Sequence, residues 1–125
     1  MPKKTKKIII AEDDKFLANA YRVKLEKGDY EVSIVEHGGK LLEQVEDFKP
    51  DLILLDLVMP VLDGFEALKE LKNNNETKDI PVLVVSNLGQ QSDLNKSMEL
   101  GAEDYIIKSN MSIKNVVKKI DETLN

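Results

Sequence analysis

Residues 51–56 read Asp-Leu-Ile-Leu-Leu-Asp, a short run of large aliphatic residues between two aspartates. A strand with one face in water alternates apolar and polar residues, whereas this run is apolar at every inner position. Such a run is typical of a strand that is buried on both faces of a parallel sheet. Pro50 directly before it ends the helical pattern that precedes it.

Four other short apolar runs lie at regular intervals on either side of this stretch, and the segments between them place apolar residues at helical spacing. This alternation predicts a parallel sheet covered by helices. The predicted strands are residues 7–11, 31–35, 51–56, 81–86 and 105–108, with a helix after each. For the first helix the predicted apolar face is Phe16, Leu17, Ala20, Tyr21, Lys24 and Leu25.

The chain has 125 residues and a net charge of −5, with no cysteine. This length predicts one domain, and the missing cysteine excludes disulfides and thiol chemistry. Residues 1–7 form a basic tail, so residues 8–125 carry 14 bases against 23 acids, a net charge of −9. An acidic body disfavours binding to nucleic acid or to an anionic membrane. No apolar run could span a bilayer or serve as a secretory signal, so we expect a cytoplasmic protein.

Polar residues follow four of the predicted strands. Because the carboxyl ends of parallel strands meet at one edge of a sheet, we expect these side chains to lie close together. Several carboxylates at one edge repel each other unless a divalent cation binds between them, and Mg²⁺ is the hard cation that best fits oxygen ligands beside a phosphoryl group. The residues concerned are Glu12, Asp13, Asp14, Asp56, Ser86 and Lys108.

An aspartate beside such a metal, with a lysine and a hydroxyl nearby, can act as a nucleophile toward a phosphoryl donor. At this point the chain resembles a response-regulator receiver domain of two-component signalling over essentially its whole length. The resemblance rests on residues 8–14, 50–60 with Asp63-Gly64, 84–86 and 101–108, each at the end of a predicted strand. It implies a doubly wound, flavodoxin-like (βα)5 sandwich of three layers, with a five-stranded parallel sheet of order 2-1-3-4-5.

The resemblance also implies the roles of individual residues. Asp56 would be the phosphorylated aspartate. Asp13 would bind Mg²⁺ directly and Glu12 through water, with Asp56 and the backbone carbonyl of Val58 as further ligands. Lys108 would pair with a phosphoryl oxygen.

Two more residues would transmit the signal. Ser86 would hydrogen-bond a phosphoryl oxygen, and Tyr105 would be the aromatic switch that turns inward as Ser86 moves. The face built from the fourth helix, the fifth strand and the fifth helix would then change its affinity for a partner.

We therefore expect a stand-alone response regulator with a tail at 1–7 and a receiver domain at 8–125. It would accept a phosphoryl group from a histidine kinase or histidine phosphotransfer protein and signal by protein binding. It would not be an enzyme beyond Mg²⁺-dependent self-phosphorylation and slow self-dephosphorylation. No output domain is expected after the fifth helix.

The sequence departs from the family pattern in two ways. Ser109 stands where the family usually has a proline joined by a cis bond, and a cis bond to serine would cost about 2.5–4 kcal/mol. We therefore expect a trans Lys108–Ser109 bond. Val58 and Leu88 are aliphatic where some relatives have polar side chains that orient an attacking water, which predicts slow self-dephosphorylation.

Other functions fit these residues less well. A flavodoxin or dinucleotide-binding protein needs glycines after the first strand, but here that turn is acidic. Phosphatases with an aspartyl nucleophile usually carry a second aspartate two residues later, where this chain has Val58. A receiver-like adaptor that works without phosphorylation stays open because of Ser109, although Asp13, Asp56 and Lys108 argue against it.

Overall fold

The structure is a computed structural model that describes residues 5–57, 63–87 and 91–125, with residue 110 described by its backbone alone. Strands and helices alternate along this part of the chain. The strands are β1 (Lys7–Ala11), β2 (Glu31–Val35), β3 (Leu52–Leu55), β4 (Val82–Ser86) and β5 (Asp104–Ile107). The helices are α1 (Lys15–Lys27), α2 (Gly38–Phe48), α3 (Gly64–Asn73), α4 (Gln91–Glu99) and α5 (Ile113–Leu124), with a 3-10 turn at Lys108–Asn110.

The five strands form one parallel sheet in the order β2-β1-β3-β4-β5. This is the order that the resemblance implies. The apolar run at residues 52–55 forms β3, which pairs with β1 on one side and β4 on the other. Each of its four residues is buried, so the interpretation of residues 51–56 as a strand buried on both faces is confirmed.

Apolar residues on the two faces of the sheet belong to two separate cores. On β1, Ile9 and Ala11 join the core that contains residues of α2 and α3. Ile8 and Ile10 join the other core, which contains residues of α1 and α5. Successive side chains of a strand point to opposite faces, and here both faces are covered. The result is the expected sandwich of three layers.

Side chains that cap helices fix where α1 and α5 begin. The Asp14 carboxylate accepts hydrogen bonds from the backbone N–H of Phe16 and Leu17, at 3.1 and 3.2 Å. Ser112 accepts one from the N–H of Asn115, at 3.2 Å. Asp14 starts α1 immediately after the acidic turn.

The predicted apolar face of α1 is wrong at Phe16. Its side chain is 90% exposed, whereas Ala18, which was not predicted, is 1% exposed. The buried residues of α1 are Ala18, Tyr21 and Leu25, spaced by three and four residues as on one helix face. Phe16 lies outside this face, because each residue turns the helix by about 100°. Lys24, also predicted on this face, is exposed.

The described helices are short, the longest being the 13-residue α1. None of them has both the length and the apolar character that a membrane-crossing helix requires.

Candidate functional site

The carboxyl ends of β1, β3, β4 and β5 lie side by side. In the parallel register, Leu55 of β3 lies between Ala11 of β1 and Val84 of β4, and Val84 in turn pairs with Tyr105 of β5. Backbone hydrogen bonds continue just past the strands, from the N–H of Asp56 to the carbonyl of Ala11, at 3.0 Å. The polar residues at or just after these strand ends are Glu12, Asp13, Asp56, Ser86 and Lys108.

Lys108 joins two of the acids. Its Nζ lies 3.1 Å from Asp56 Oδ2 and also donates to Glu12 Oε1. The side chains of Lys108, Glu12 and Asp56 are 14%, 3% and 7% exposed. A charge-assisted contact that is this well shielded from water is stronger than a surface ion pair. The ammonium is therefore held between two carboxylates at the edge of the sheet.

Glu12, Asp13 and Asp56 form the acidic cluster. Each offers one carboxylate oxygen, and these three oxygens lie within 4.8 Å of one another. Glu12 and Asp56 are buried, whereas Asp13 is exposed. Hard oxygen ligands with one side open to water suit Mg²⁺, which binds through one or two carboxylates and keeps several waters. The donor set therefore fits magnesium.

The protonation of Glu12 reflects this crowding. Burial raises the pKa of Glu12 to about 7, and a hydrogen bond with Asp56 adds to the rise. The Lys108 ammonium opposes it. One lysine thus compensates the acids only in part, which leaves room for further positive charge in the cluster.

Ser86 and Tyr105 lie on neighbouring strands and are both buried, at 0% and 9% exposure. Burial raises the pKa of Tyr105, and a side-chain hydrogen bond with Ser86 opposes that rise. The two predicted switch residues are thus in contact, and the Tyr105 ring packs within the core on the side of α2 and α3.

Gly64 lies against the backbone of Asp56 and Leu57. Gly64, the first residue of α3, donates its N–H to the Leu57 carbonyl at 2.9 Å. A Cβ at position 64 would lie 2.5 Å from Leu57 Cα and 2.6 Å from the Asp56 carbonyl oxygen. The Asp63-Gly64 pair therefore lets α3 start directly against the turn that carries Asp56.

The backbone after Lys108 has the conformation that Ser109 predicts. The described residues contain no cis peptide bond, so the Lys108–Ser109 bond is trans, as expected. Lys108, Ser109 and Asn110 form a single 3-10 turn before α5. Lys108 reaches both carboxylates from this geometry.

The predicted residues differ in how far the structure tests their placement. Glu12, Asp13, Asp56 and Lys108 are brought together, with Ser86 and Tyr105 beside them. Val58, the predicted carbonyl ligand, and Leu88 lie outside the described residues.

The chain is similar in sequence to known proteins. Residues 8–121 match the response regulator receiver domain family. The DNA-binding dual master transcriptional regulator RpaA of Synechocystis sp. is 36% identical over 102 residues, which are 82% of this chain and 42% of RpaA. The chain thus spans less than half the length of the curated relatives that it matches first.

Solved structures share the fold over nearly the whole chain. The phosphorylated cyanobacterial phytochrome response regulator RcpA is 33% identical, with a TM-score of 0.85 over 95% of this chain and 93% of that chain. The Mn²⁺-bound form of response regulator Rcp1 is 31% identical, with a TM-score of 0.80 over 92% and 88%. The chain belongs to the response regulator receiver domain family.

Proposed function

We propose that this chain is a response-regulator receiver domain that accepts a phosphoryl group on Asp56 and signals by phosphorylation-dependent protein binding. The observation that carries the proposal is the position of Lys108, whose ammonium binds Asp56 Oδ2 and Glu12 at the edge of the acidic cluster. A carboxylate with an ammonium beside it can attack a phosphoryl group while the cation stabilises the phosphoryl oxygens.

In the proposed reaction one Asp56 carboxylate oxygen attacks the phosphorus of the donor and forms a new P–O bond. The bond from phosphorus to the leaving group breaks, and the leaving group takes the bonding electrons and a proton. Lys108 turns with the group and pairs with one of its oxygens. Glu12, Asp13 and Asp56, with the backbone carbonyl of Val58, would hold magnesium, which would supply positive charge beside the phosphoryl oxygens.

Ser86 would respond to phosphorylation of Asp56. It ends β4 beside the acidic cluster, and its side chain already hydrogen-bonds with Tyr105. A new hydrogen bond from Ser86 to a phosphoryl oxygen would therefore change the hydrogen bond that Ser86 makes with Tyr105. Tyr105 belongs to β5, so the change reaches the face formed by α4, β5 and α5, which we propose as the surface for the downstream partner.

Several observations support the partners that we propose. Receiver domains interact with histidine kinases or phosphotransfer proteins, and we propose such a protein in the cytoplasm as the phosphoryl donor. RpaA is a DNA-binding regulator, but this chain matches only 42% of it. The net charge of −9 on residues 8–125, which we propose as the receiver unit behind a basic tail at 1–7, disfavours nucleic acid and anionic membranes.

Incubation with Mg²⁺ and acetyl phosphate, followed by intact-mass measurement, tests the phosphoacceptor. We expect wild type to gain the mass of one phosphoryl group and Asp56→Asn to gain none. Asp47→Asn is the matched control, because Asp47 is exposed near the end of α2 and does not belong to the acidic cluster. It should gain the same mass as wild type.

The same experiment separates the alternatives. A wild-type protein that gains no mass would favour an adaptor that works without phosphorylation. Rapid loss of the group from the isolated protein would contradict the slow self-dephosphorylation that we propose from Val58 and Leu88, and sustained turnover of the phosphodonor would favour a phosphatase.

A further inference from the structure

Helix α4 packs on the sheet without a fully buried apolar side chain. Its only buried residue is Ser97, whose hydroxyl donates to the Asp93 carbonyl of the same helix at 2.9 Å. Each of the other described helices buries at least one large aliphatic side chain. Leu94 of α4 and Leu100 just after it are only half-buried against the core. Apolar burial therefore contributes little to holding α4 in place.

A cation–π contact joins α4 to α3. Lys96 Nζ lies 4.3 Å from the centroid of the Phe65 ring, well within the distance of about 6 Å at which an aromatic ring attracts a cation. Lys96 is exposed, and no carboxylate among the described residues forms an ion pair with it. The Phe65 ring packs against the core on the side of α2 and α3. The ring is therefore a fixed partner for the Lys96 ammonium.

The residue before Phe65 lies against the turn that carries Asp56. Gly64 donates its N–H to the Leu57 carbonyl at 2.9 Å, and a Cβ on Gly64 would lie 2.6 Å from the Asp56 carbonyl oxygen. Because packed groups this close cannot move independently, a shift of the turn after Asp56 must move the start of α3. Phe65 is bonded directly to Gly64, so direct contacts run from Asp56 through the start of α3 to Lys96 on α4.

We propose that the Lys96–Phe65 contact holds α4 against the start of α3 and is released when a phosphoryl group on Asp56 shifts the turn after it. The inference rests on the proposed function and adds a connection from Asp56 to the face formed by α4, β5 and α5. This connection is separate from the one through Ser86 and Tyr105. A displacement of the ring lengthens its distance to the ammonium and weakens the attraction. Release of α4 then favours the phosphorylated state of this face.

Lys96→Met tests this inference, because methionine keeps an unbranched stem and removes the charge. If the contact restrains α4, its loss should tighten the binding of beryllofluoride with Mg²⁺ by about two- to fivefold, the range expected of one exposed cation–π contact. An NMR titration measures this affinity. The matched control is Lys69→Met, because Lys69 is exposed on α3 and lies over no ring among the described residues. Its affinity should equal that of wild type.

A double-mutant cycle assigns the effect to the pair. Phe65→Leu keeps an apolar side chain and removes the ring, so it should tighten beryllofluoride binding by the same factor as Lys96→Met. The double variant should show no further change, because each substitution alone already removes the contact. Hydrogen exchange of the α4 amides should quicken in both single variants and no further in the double. Urea unfolding shows whether each variant is folded, and Lys96→Met changes only an exposed side chain.

Single effects that add in the double variant, or beryllofluoride binding that weakens in Lys96→Met, would overturn the inference. A wild-type protein that binds no beryllofluoride and gains no phosphoryl mass would overturn the proposed function and this inference with it. A wild type that binds beryllofluoride with the same affinity as Lys96→Met would overturn this inference alone.

Discussion

Asp13 and Asp14 are neighbours in the turn after β1, but their carboxylates have different roles. Asp13 contributes an oxygen to the acidic cluster, and Asp14 caps α1. We expect Asp13→Asn to raise the Mg²⁺ concentration for half-maximal phosphorylation by roughly tenfold or more, because a charged ligand becomes neutral. Asp14→Asn is the control, since asparagine caps helices as well as aspartate does.

Phosphorylation rates measured across a magnesium titration check this prediction. Equal magnesium requirements in the two variants would show that Asp13 is not a ligand. Chelation of Mg²⁺ should stop phosphorylation in wild type and in Asp14→Asn alike.

Gly64 is a residue where a single methyl group matters. A Cβ there would lie 2.5 Å from Leu57 Cα, a backbone atom that cannot move without shifting the turn after Asp56. We expect Gly64→Ala to lower the free energy of unfolding by about 1–3 kcal/mol and to slow phosphorylation. Urea unfolding and the phosphorylation assay measure the two effects.

Gly39 provides the contrast. It also lies near the start of a helix, but a Cβ there meets only the His37 ring, at 3.4 Å. Gly39→Ala should leave phosphorylation unchanged and should stabilise α2 by up to about 1 kcal/mol, because alanine favours helix. If both alanine variants lose the same stability, the close approach at Gly64 is not the cause.

At the scale of elements, one lysine ties the end of α3 to the loop before β4. Lys72 Nζ donates to the carbonyls of Lys78 and Ile80, at 2.9 and 2.7 Å. Its stem also packs on Gly101, which follows α4 with a φ of +106°. Lys72 therefore links the end of α3, the loop before β4 and the residue at Gly101 that follows α4.

Lys72→Met keeps the stem and removes both hydrogen bonds. We expect it to lower the free energy of unfolding by about 1–3 kcal/mol, because two carbonyls lose their partner. Lys69→Met is the control, since Lys69 is exposed on the same helix. Urea unfolding checks both, and an equal loss in the two variants would assign the effect to removal of charge.

The sequence was most informative where burial is complete. The run at residues 52–55 is buried on both faces, so every position had to be apolar and the strand could be recognised without its neighbours. Helix α1 is covered on one side only, and an apolar residue on its open side costs little. Phe16 could therefore be placed on the wrong face, although the helix itself was correctly predicted.

The candidate site shows the same division. Its members could be predicted because parallel strands end at one edge, which places Glu12, Asp56 and Lys108 together whatever the details. How they pair could not be predicted, because the reach of Lys108 depends on the 3-10 turn after β5.

At the scale of the whole molecule, polar contacts with three other segments hold α5 against the sheet. The Tyr30 hydroxyl, just before β2, donates to Asp121 of α5. Lys6 Nζ donates to the Leu124 carbonyl at 2.9 Å. Lys119 Nζ lies 2.6 Å from Asp104 Oδ2 of β5. The last helix is thus held at both edges of the sheet as well as by its apolar face.

The contact between Tyr30 and Asp121 makes the stability of the fold depend on pH. Burial and the hydrogen bond to Asp121 raise the pKa of Tyr30 from 10.0 to about 12. A group whose folded pKa is raised contributes stability below its unfolded pKa and loses that contribution as pH rises through the folded value. The contribution of Tyr30 should therefore be complete below pH 10 and should disappear between pH 10 and about 12.

Comparison of wild type with Tyr30→Phe isolates the contribution of the Tyr30 hydroxyl to the free energy of unfolding. The pKa values of Tyr21 and Tyr105 are raised as well, so both proteins should lose stability in alkali. Only wild type also loses the Tyr30 contribution, and the difference between their free energies of unfolding should narrow from pH 10 upward. Urea unfolding at several pH values measures it. A difference that stays constant to about pH 12 would show that the Tyr30 hydroxyl stabilises the closed fold by packing alone.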